Sequence, residues 1–194
     1  MKSETRQAAL LADLTSGDEV RAEAAACELA EAGDAALVAL EPLLHSDDVD
    51  RRWWAVRTLG QMQSPRPDWL IQALADNSAE VRAASALALS THPVEDAAPA
   101  LVEALQDEDS IVAILAVNAV IAIGKAAVPA LLDAYPNSTA RGRIQSMRAL
   151  AELQDHRAIP LMLKATEQDS AMLYHWAEQG LERLGLNMVY IKPE

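Results

Sequence analysis

Four histidines and one cysteine are the residues of this 194-residue chain that most readily ligate metals or act as nucleophiles. The histidines are His45, His92, His156 and His175. A helical metal site places two ligands four residues apart, on one face of the helix, and no pair of these histidines has that spacing. Because there is one cysteine, a zinc site built on several thiolates is impossible. The sequence therefore predicts no metal and no cofactor.

The single thiol, Cys27, is a candidate nucleophile by residue type alone. A reactive thiol needs a cationic neighbour to lower its pKa, and Glu23, Glu28 and Glu31 are the charged residues close to it in sequence. Free cysteine otherwise behaves as a small apolar residue. We expect Cys27 to be packed or half-buried and chemically inert.

Neighbouring carboxylates, such as Asp47 with Asp48 and Asp107 with Asp109, have the residue types of a general acid and base. Each pair lies in a short polar segment before an apolar run, where an aspartate caps the helix that follows. The chain also lacks a glycine-rich phosphate loop and a Gly-x-Ser-x-Gly motif. We therefore assign no catalytic residue and predict that the protein is not an enzyme.

The chain is acidic, with a formal net charge of −13 and a pI of about 4.6. Residues 1–50 carry 12 acidic and 3 basic side chains, whereas residues 51–150 carry 10 and 9. A broad phosphate-binding surface needs clustered lysine and arginine. The composition thus argues against nucleic acid as a partner.

Several features indicate a cytoplasmic protein that does not enter a membrane. A single cysteine fits a reducing compartment, and residues 1–5 are too polar for the start of a signal peptide. The longest apolar stretch, residues 111–123, contains Asn118 and is too short to span a bilayer.

Apolar residues recur at steps of 30 or 31 along the whole chain. One column consists of Leu29, Leu59, Leu89, Val120, Leu150 and Leu181, and a parallel column of Leu10, Leu40, Leu70, Leu101, Leu131 and Met162. Such a step is typical of solenoids and arrays. With 51% hydrophobic residues, many of them alanine, and 7 glycines, the sequence favours helices throughout.

Each repeat is predicted to be two helices joined by an acidic turn, and the fourth repeat is the clearest example. Residues 97–106 form its first helix, with Pro99 in the first turn, where a missing N–H costs little. Residues 107–110 form the turn, and residues 111–123 form the second helix, which ends at Gly124.

The position four residues before the second-helix column is small in all six repeats. Its members are Ala25, Ala55, Ser85, Ala116, Ser146 and Ala177. Adjacent helices approach closely only where the side chains between them are small. This column therefore predicts the buried face of the second helices.

These features resemble the HEAT family in its short bacterial form, related to phycobilisome lyase repeats. The matching segments are residues 98–101, 128–131 and 159–162, with a proline in the first helix, and the Val-Arg pairs 20–21 and 81–82, which start second helices. The family often stacks an arginine of the second helix on an aspartate between turns. Ala113 and Tyr174 stand at that position in the fourth and sixth repeats.

The resemblance implies an all-α fold, an α-α superhelix or HEAT-like solenoid of about six helical hairpins. We expect residues 1–185 to form one HEAT-like domain and residues 186–194 to form a C-terminal cap or tail. The approximate repeats are residues 4–33, 34–63, 64–93, 94–125, 126–154 and 155–185.

In HEAT-like arrays the second helices line a concave face, which makes that face the candidate binding site. The positions six and two residues before the column leucine point away from the buried positions. They and their neighbours include tryptophan, tyrosine and arginine, the residue types enriched at binding hot spots. The predicted partner-binding residues are Arg52, Trp53, Arg57, Ile114, Asn118, Arg143, Ile144, Arg148, Tyr174 and His175.

The sequence thus predicts a non-enzymatic protein-binding module or assembly scaffold. An apolar strip edged by arginines suits a protein or peptide with apolar anchors and acidic flanks. The alternative, implied by the resemblance alone, is an accessory subunit of a bilin lyase or isomerase. Whether Trp53 and Trp54 are exposed or packed stays open at this point.

Overall fold

The computed structural model describes residues 2–186, and the regular elements in this range are all helical. Consecutive helices pair into six hairpins, as predicted. The helices are α1 (Lys2–Leu14), α2 (Glu19–Glu31), α3 (Asp34–Leu44), α4 (Val49–Gln61), α5 (Pro67–Ala73), α6 (Ala79–Thr91), α7 (Ala98–Ala104), α8 (Ser110–Ile123), α9 (Val128–Ala134), α10 (Ala140–Leu153), α11 (Ile159–Ala165) and α12 (Ala171–Arg183). The predicted cap at residues 186–194 lies, apart from its first residue, outside the described residues.

The chain divides into two compact units, residues 1–92 and 93–194, at the predicted end of the third repeat. In the first unit α2, α4 and α6 are stacked side by side, and α1, α3 and α5 each pack on the second helix of their own hairpin. In the second unit α8, α10 and α12 are stacked in the same way. The assignment of residues 1–185 to one domain stays a prediction.

The predicted capping by turn acids is confirmed. The side chain of Asp18 accepts hydrogen bonds from two backbone N–H groups at the start of α2, and Asp109 does the same for α8. Asp48 accepts one at the start of α4. These carboxylates therefore satisfy backbone donors that helix geometry leaves without partners.

The helix boundaries also follow local sequence signals. Pro99, Pro129 and Pro160 lie in the first turns of α7, α9 and α11, where they remove no intrahelical hydrogen bond. Gly124 ends α8 with φ at +81°, a conformation that L side chains rarely adopt.

The core lies between the stacked helices of each unit. All members of the two apolar columns are buried, and the small residues of the second helices are at most 2% exposed. Ser85, one of the small residues, donates a hydrogen bond to the Leu70 carbonyl of its own hairpin. The predicted buried face of the second helices is thus confirmed.

By length and composition alone, the helical stretch Ser110–Asn137 is apolar enough to cross a membrane. The chain turns at Gly124, however, so α8 has 14 residues and a length of about 21 Å. That is shorter than the roughly 30 Å hydrocarbon core of a bilayer. Six residues of α8 are buried, and the helix packs against α7 and α10. In this structure α8 is therefore a core helix of the second unit.

Candidate functional site

The predicted strip follows the face of the second helices that does not pack in the core. Every residue at the two outward positions, six and two before the column leucine, is exposed or half-buried. In the first unit these positions include Trp53 and Arg57, and in the second unit Ile114, Asn118, Ile144, Arg148 and His175.

Trp53 and Trp54 form an aromatic pair at one wall of an open groove in the first unit. Their ring centroids are 4.8 Å apart with planes at 83°, the edge-to-face arrangement that aromatic quadrupoles favour. Both indoles are half-buried. The groove has a volume of about 860 Å³ and lies where α2, α4 and α6 begin.

Arg57 lies on the strip, but its charge is already paired within the first unit. Its guanidinium donates to the Glu23 carboxylate of α2 at 2.9 and 3.3 Å, and Gln61 donates to the same carboxylate at 3.0 Å. Arg57 and Glu23 are both part-exposed, so such a pair contributes little stability. The pair does neutralise the cation that was expected to attract an acidic partner.

The expectation that Arg52 flanks an exposed strip is corrected by its burial, because the residue is 8% exposed. Its guanidinium donates twice to the Asp76 carboxylate, at 2.7 and 2.9 Å, and once to Asn77. It also donates to the backbone carbonyls of Ser46 and Asp47. Arg52 thus joins two successive turns and presents no free donor face to a partner.

The carboxylate of Asp76 is kept ionised by its contact with Arg52. Burial of the carboxyl acts to raise its pKa, but hydrogen bonds from Arg52 and the Ser78 N–H outweigh burial and hold the pKa below its usual value. This is the Asp–Arg pairing between turns that the family resemblance implies.

In the second unit the strip has an apolar part on α8 and α10. Ile114 is 43% exposed, Asn118 is exposed beside it, and Ile144 is half-buried. Large aliphatic side chains left in water at successive repeats offer a partner apolar area to cover.

A cationic and aromatic part of the strip continues on α10 and α12. The Arg148 guanidinium lies 5.7 Å from the Trp176 ring centroid, within the range of a cation–π contact. Trp176 in turn packs edge-to-face on His175 at 5.1 Å. Arg148 makes no ion pair with any described residue, so its positive charge is available to a partner.

Two further predicted residues have local partners. The Tyr174 hydroxyl donates to Glu178 at 3.3 Å while the residue remains 39% exposed. Arg143 donates to the Pro136 carbonyl at 2.9 Å, and its guanidinium lies 5.9 Å from the Tyr135 ring centroid. Like Arg52, Arg143 is held to the turn before its own helix.

The expectation that Cys27 is packed or half-buried is wrong, since the residue is exposed. The residue lies two positions before Leu29, and that outward position decides its exposure. Among residues 5–186, no group of three histidine, cysteine or acidic side chains is placed to hold a metal ion.

Sequence reasoning missed two contributors to these surfaces. Trp176, which the predicted set of partner-binding residues does not include, is the partner of Arg148. Glu19 and Asp50, which are also absent from the predicted set, line the groove beside Trp53. The 28-residue separation of Arg148 and Trp176, slightly less than one repeat, is the signal that could have found the first pair.

Comparisons with known proteins agree with this architecture. A family model for HEAT repeats matches residues 67–148, and a model for the PBS lyase HEAT-like repeat matches residues 143–168. Among solved structures of similar fold, an engineered protein superposes with a TM-score of 0.55 at 22% identity, covering 92% of this chain and 98% of that one. The complex of CpcE and CpcF of phycocyanin lyase from Nostoc gives a TM-score of 0.54 at 24% identity, covering 92% and 77%.

Two curated relatives are similar in sequence. The phycocyanobilin lyase subunit beta of Pseudanabaena tenuis is 33% identical over 104 residues, which are 53% of this chain and 37% of the relative. The phycobilisome maturation protein of Synechococcus elongatus is 32% identical over 111 residues, 57% of this chain and 54% of the relative. The chain thus spans about a third to a half of the length of these relatives. On the repeat architecture and the two matching models, the chain belongs to the HEAT-repeat family in its short bacterial form, which includes the PBS lyase HEAT-like repeats.

Proposed function

We propose that this chain is a non-enzymatic protein-binding module that engages a partner on the exposed face of its second helices. The observation that carries the proposal is the strip of the second unit. There Ile114 is exposed on α8 and Arg148, which has no ion pair among residues 5–186, is half-buried on the adjacent α10. Solvent-exposed aliphatic, aromatic and guanidinium groups on one face are the composition of a binding hot spot.

The chemistry of the strip in the second unit defines the expected partner. Ile114 and Ile144 provide contacts for apolar anchors, and Arg148 provides a cation for an acidic flank. Arg57 adds no comparable attraction in the first unit, because Glu23 neutralises it. We therefore place the apolar anchors and acidic flanks of the partner on the second unit.

Site-specific photo-crosslinking tests this assignment. A benzophenone amino acid at Ile114 is expected to capture a protein partner in the cell of origin, and the same group at Glu103, exposed on the first helix α7, is expected to capture none. Arg148→Glu should reduce capture at position 114 at least about fivefold, because it reverses the charge at the strip. Equal capture from positions 114 and 103, or capture unaffected by Arg148→Glu, would contradict the proposal.

A second candidate function is an accessory subunit of a bilin lyase or isomerase. It is favoured by the similarity to the lyase subunit beta and the phycobilisome maturation protein over more than half of this chain. The role fits a protein-binding module, because an accessory subunit acts through contacts with other proteins. The same relatives support the cytoplasmic location that we propose.

Spectroscopy separates the two candidates. If the chain takes part in bilin handling, mixing it with phycocyanobilin is expected to change the visible absorbance of the pigment. If the pigment spectrum is unchanged by the chain alone and by the chain together with the crosslinked partner, the bilin role is contradicted. The proposal of a protein-binding module is not affected by that result.

A further inference from the structure

The groove beside Trp53 and Trp54 in the first unit combines an aromatic wall with carboxylates. Its remaining lining comes from the first turns of α2, α4 and α6 and the turns before them: Gly17, Glu19, Val49, Asp50, Asn77, Ser78, Ala79 and Glu80. We infer that this groove binds a lysine or arginine side chain in a basic segment of a partner protein. The inference deepens the proposed function and rests on it in one respect, that the occupant belongs to a protein.

The charge of the groove favours a cation. Glu19 and Asp50 are exposed and make no ion pair with a cation among residues 5–186, whose side chains the structure describes. No lysine or arginine lines the groove. The arginines close in sequence all have partners. Arg21 pairs with Asp13, Arg51 with Asp48 and Arg52 with Asp76, and Arg82 donates to the Asp76 carbonyl. The groove therefore holds acidic charge that no basic side chain of its lining offsets.

Helix dipoles do not reverse this preference. Each helix N-terminus carries a partial positive charge of roughly half a unit, which by itself attracts anions. At α2 and α4 that charge already faces the capping carboxylates of Asp18 and Asp48. Glu19 and Asp50 add two carboxylates beside these caps, whereas Ser78, the N-cap of α6, makes no side-chain capping hydrogen bond. The two formal negative charges of Glu19 and Asp50 exceed the roughly half unit of positive charge at the start of α6.

The indole pair supplies the second element of recognition. A guanidinium or ammonium group binds over the face of an aromatic ring within about 6 Å of its centroid, and tryptophan is the strongest such partner. Both indoles line the groove, with their planes at 83° to each other. A long basic side chain also buries its methylene stem against these rings.

Peptide binding tests the inference on the full chain. The probe is the peptide acetyl-Gly-Arg-Gly-Arg-Gly-amide at low salt. Its binding is measured by calorimetry and by the change in tryptophan fluorescence. The control probe replaces arginine with citrulline, which keeps the shape and removes the charge. We expect the arginine peptide to bind and quench fluorescence, with an affinity that falls as salt is added, and the citrulline peptide to bind at least about tenfold more weakly.

Matched variants locate the site. Glu19→Gln with Asp50→Asn should weaken the arginine peptide at least about tenfold, whereas Glu31→Gln with Asp34→Asn, an exposed pair elsewhere in the unit, should change it less than about twofold. Trp53→Leu should abolish the quenching, and Trp69→Leu should retain it. Equal losses in the two charge variants, tight binding of the citrulline peptide, or binding of a glutamate analogue instead would overturn the inference. Crosslinking from Ile114 is independent of these outcomes, so failure here does not count against the proposed function.

Discussion

At the residue scale, similar arginines have different roles that depend on what faces them. Arg52 is buried between two turns and donates to side chains and carbonyls of both. Arg148 lies on the outward face of α10, stacks over the Trp176 ring and makes no ion pair among the described residues. The first arginine therefore acts on stability, and the second is available for binding.

Removal of the Arg52 guanidinium tests its structural role. Arg52→Met leaves the part-buried Asp76 carboxylate without its main donor, and we expect a loss of about 2–4 kcal/mol in the free energy of unfolding. Arg51→Met is the control, because Arg51 is half-exposed and pairs with Asp48 at a longer 3.7 Å; its cost should stay below about 0.5 kcal/mol. Urea denaturation followed by circular dichroism measures both. Equal costs would contradict the assignment.

The free energy of unfolding at low pH depends on another carboxylate, Asp155. Hydrogen bonds from the Arg157 side chain and backbone N–H hold the pKa of Asp155 well below its usual range, against the opposing effect of burial. A carboxyl whose pKa is lowered by folding stabilises the protein above its unfolded pKa of about 3.9. That stability is lost as the pH falls further.

Asp155→Asn should therefore destabilise the protein at pH 6 and flatten the loss of stability below about pH 4. The unfolding curves of variant and parent should converge at the lowest pH, because the protonated Asp155 also lacks its charge. Asp169→Asn serves as the control, since Asp169 is exposed and has no ion pair with a described residue. Parallel pH profiles for parent and Asp155→Asn would contradict the expectation.

At the element scale, each second helix has two faces with different requirements. The face with the small residues permits close approach of the neighbouring helix, and the face six and two residues before the column leucine remains in water. Because the helical period decides which face a residue occupies, the effect of a substitution on stability depends on its position more than on its residue type.

Two alanines of α8 test this difference. Ala116→Leu places three extra carbons in a site that is fully buried, and overpacking should cost about 1–3 kcal/mol or more. Ala122→Leu makes the same change at an exposed position of the same helix and should stay within about 0.5 kcal/mol. Thermal unfolding compares the two. A neutral Ala116→Leu would show that the helices around α8 pack less tightly than described.

At the scale of the whole molecule, the chain consists of two units with their own stacked helices and their own cores. In repeat proteins each repeat is stabilised by its neighbours, so stability is a sum of local terms. The proposed sites follow the same division, with a cation-binding groove in residues 1–92 and an apolar, cationic strip in residues 93–194.

Hydrogen exchange of equivalent core variants tests this division. Leu59→Ala and Leu150→Ala remove the same fully buried side chain from the first and second unit, at an expected cost of about 2–5 kcal/mol each. Faster exchange should be concentrated in α2, α4 and α6 for Leu59→Ala, and in α8, α10 and α12 for Leu150→Ala. If exchange became uniformly faster over both units in either variant, the expectation that each unit is stabilised locally would be contradicted.

The repeat was predictable from the sequence because local and periodic residue patterns determine it. Prolines, turn aspartates and apolar columns at steps of 30 or 31 define where helices begin, end and pack, and these signals act within a hairpin or between its neighbours. The small column from Ala25 to Ala177 likewise identified the buried face.

The partners of individual charged residues were decided only by the tertiary structure. Arg52 and Arg57 look alike in sequence, yet one is buried on Asp76 and the other pairs with Glu23. Their partners lie 24 and 34 residues away, so the pairing depends on how successive repeats stack. A repeat period locates such residues on a face, but the Coulomb energy that decides their role depends on distances that only the folded chain sets.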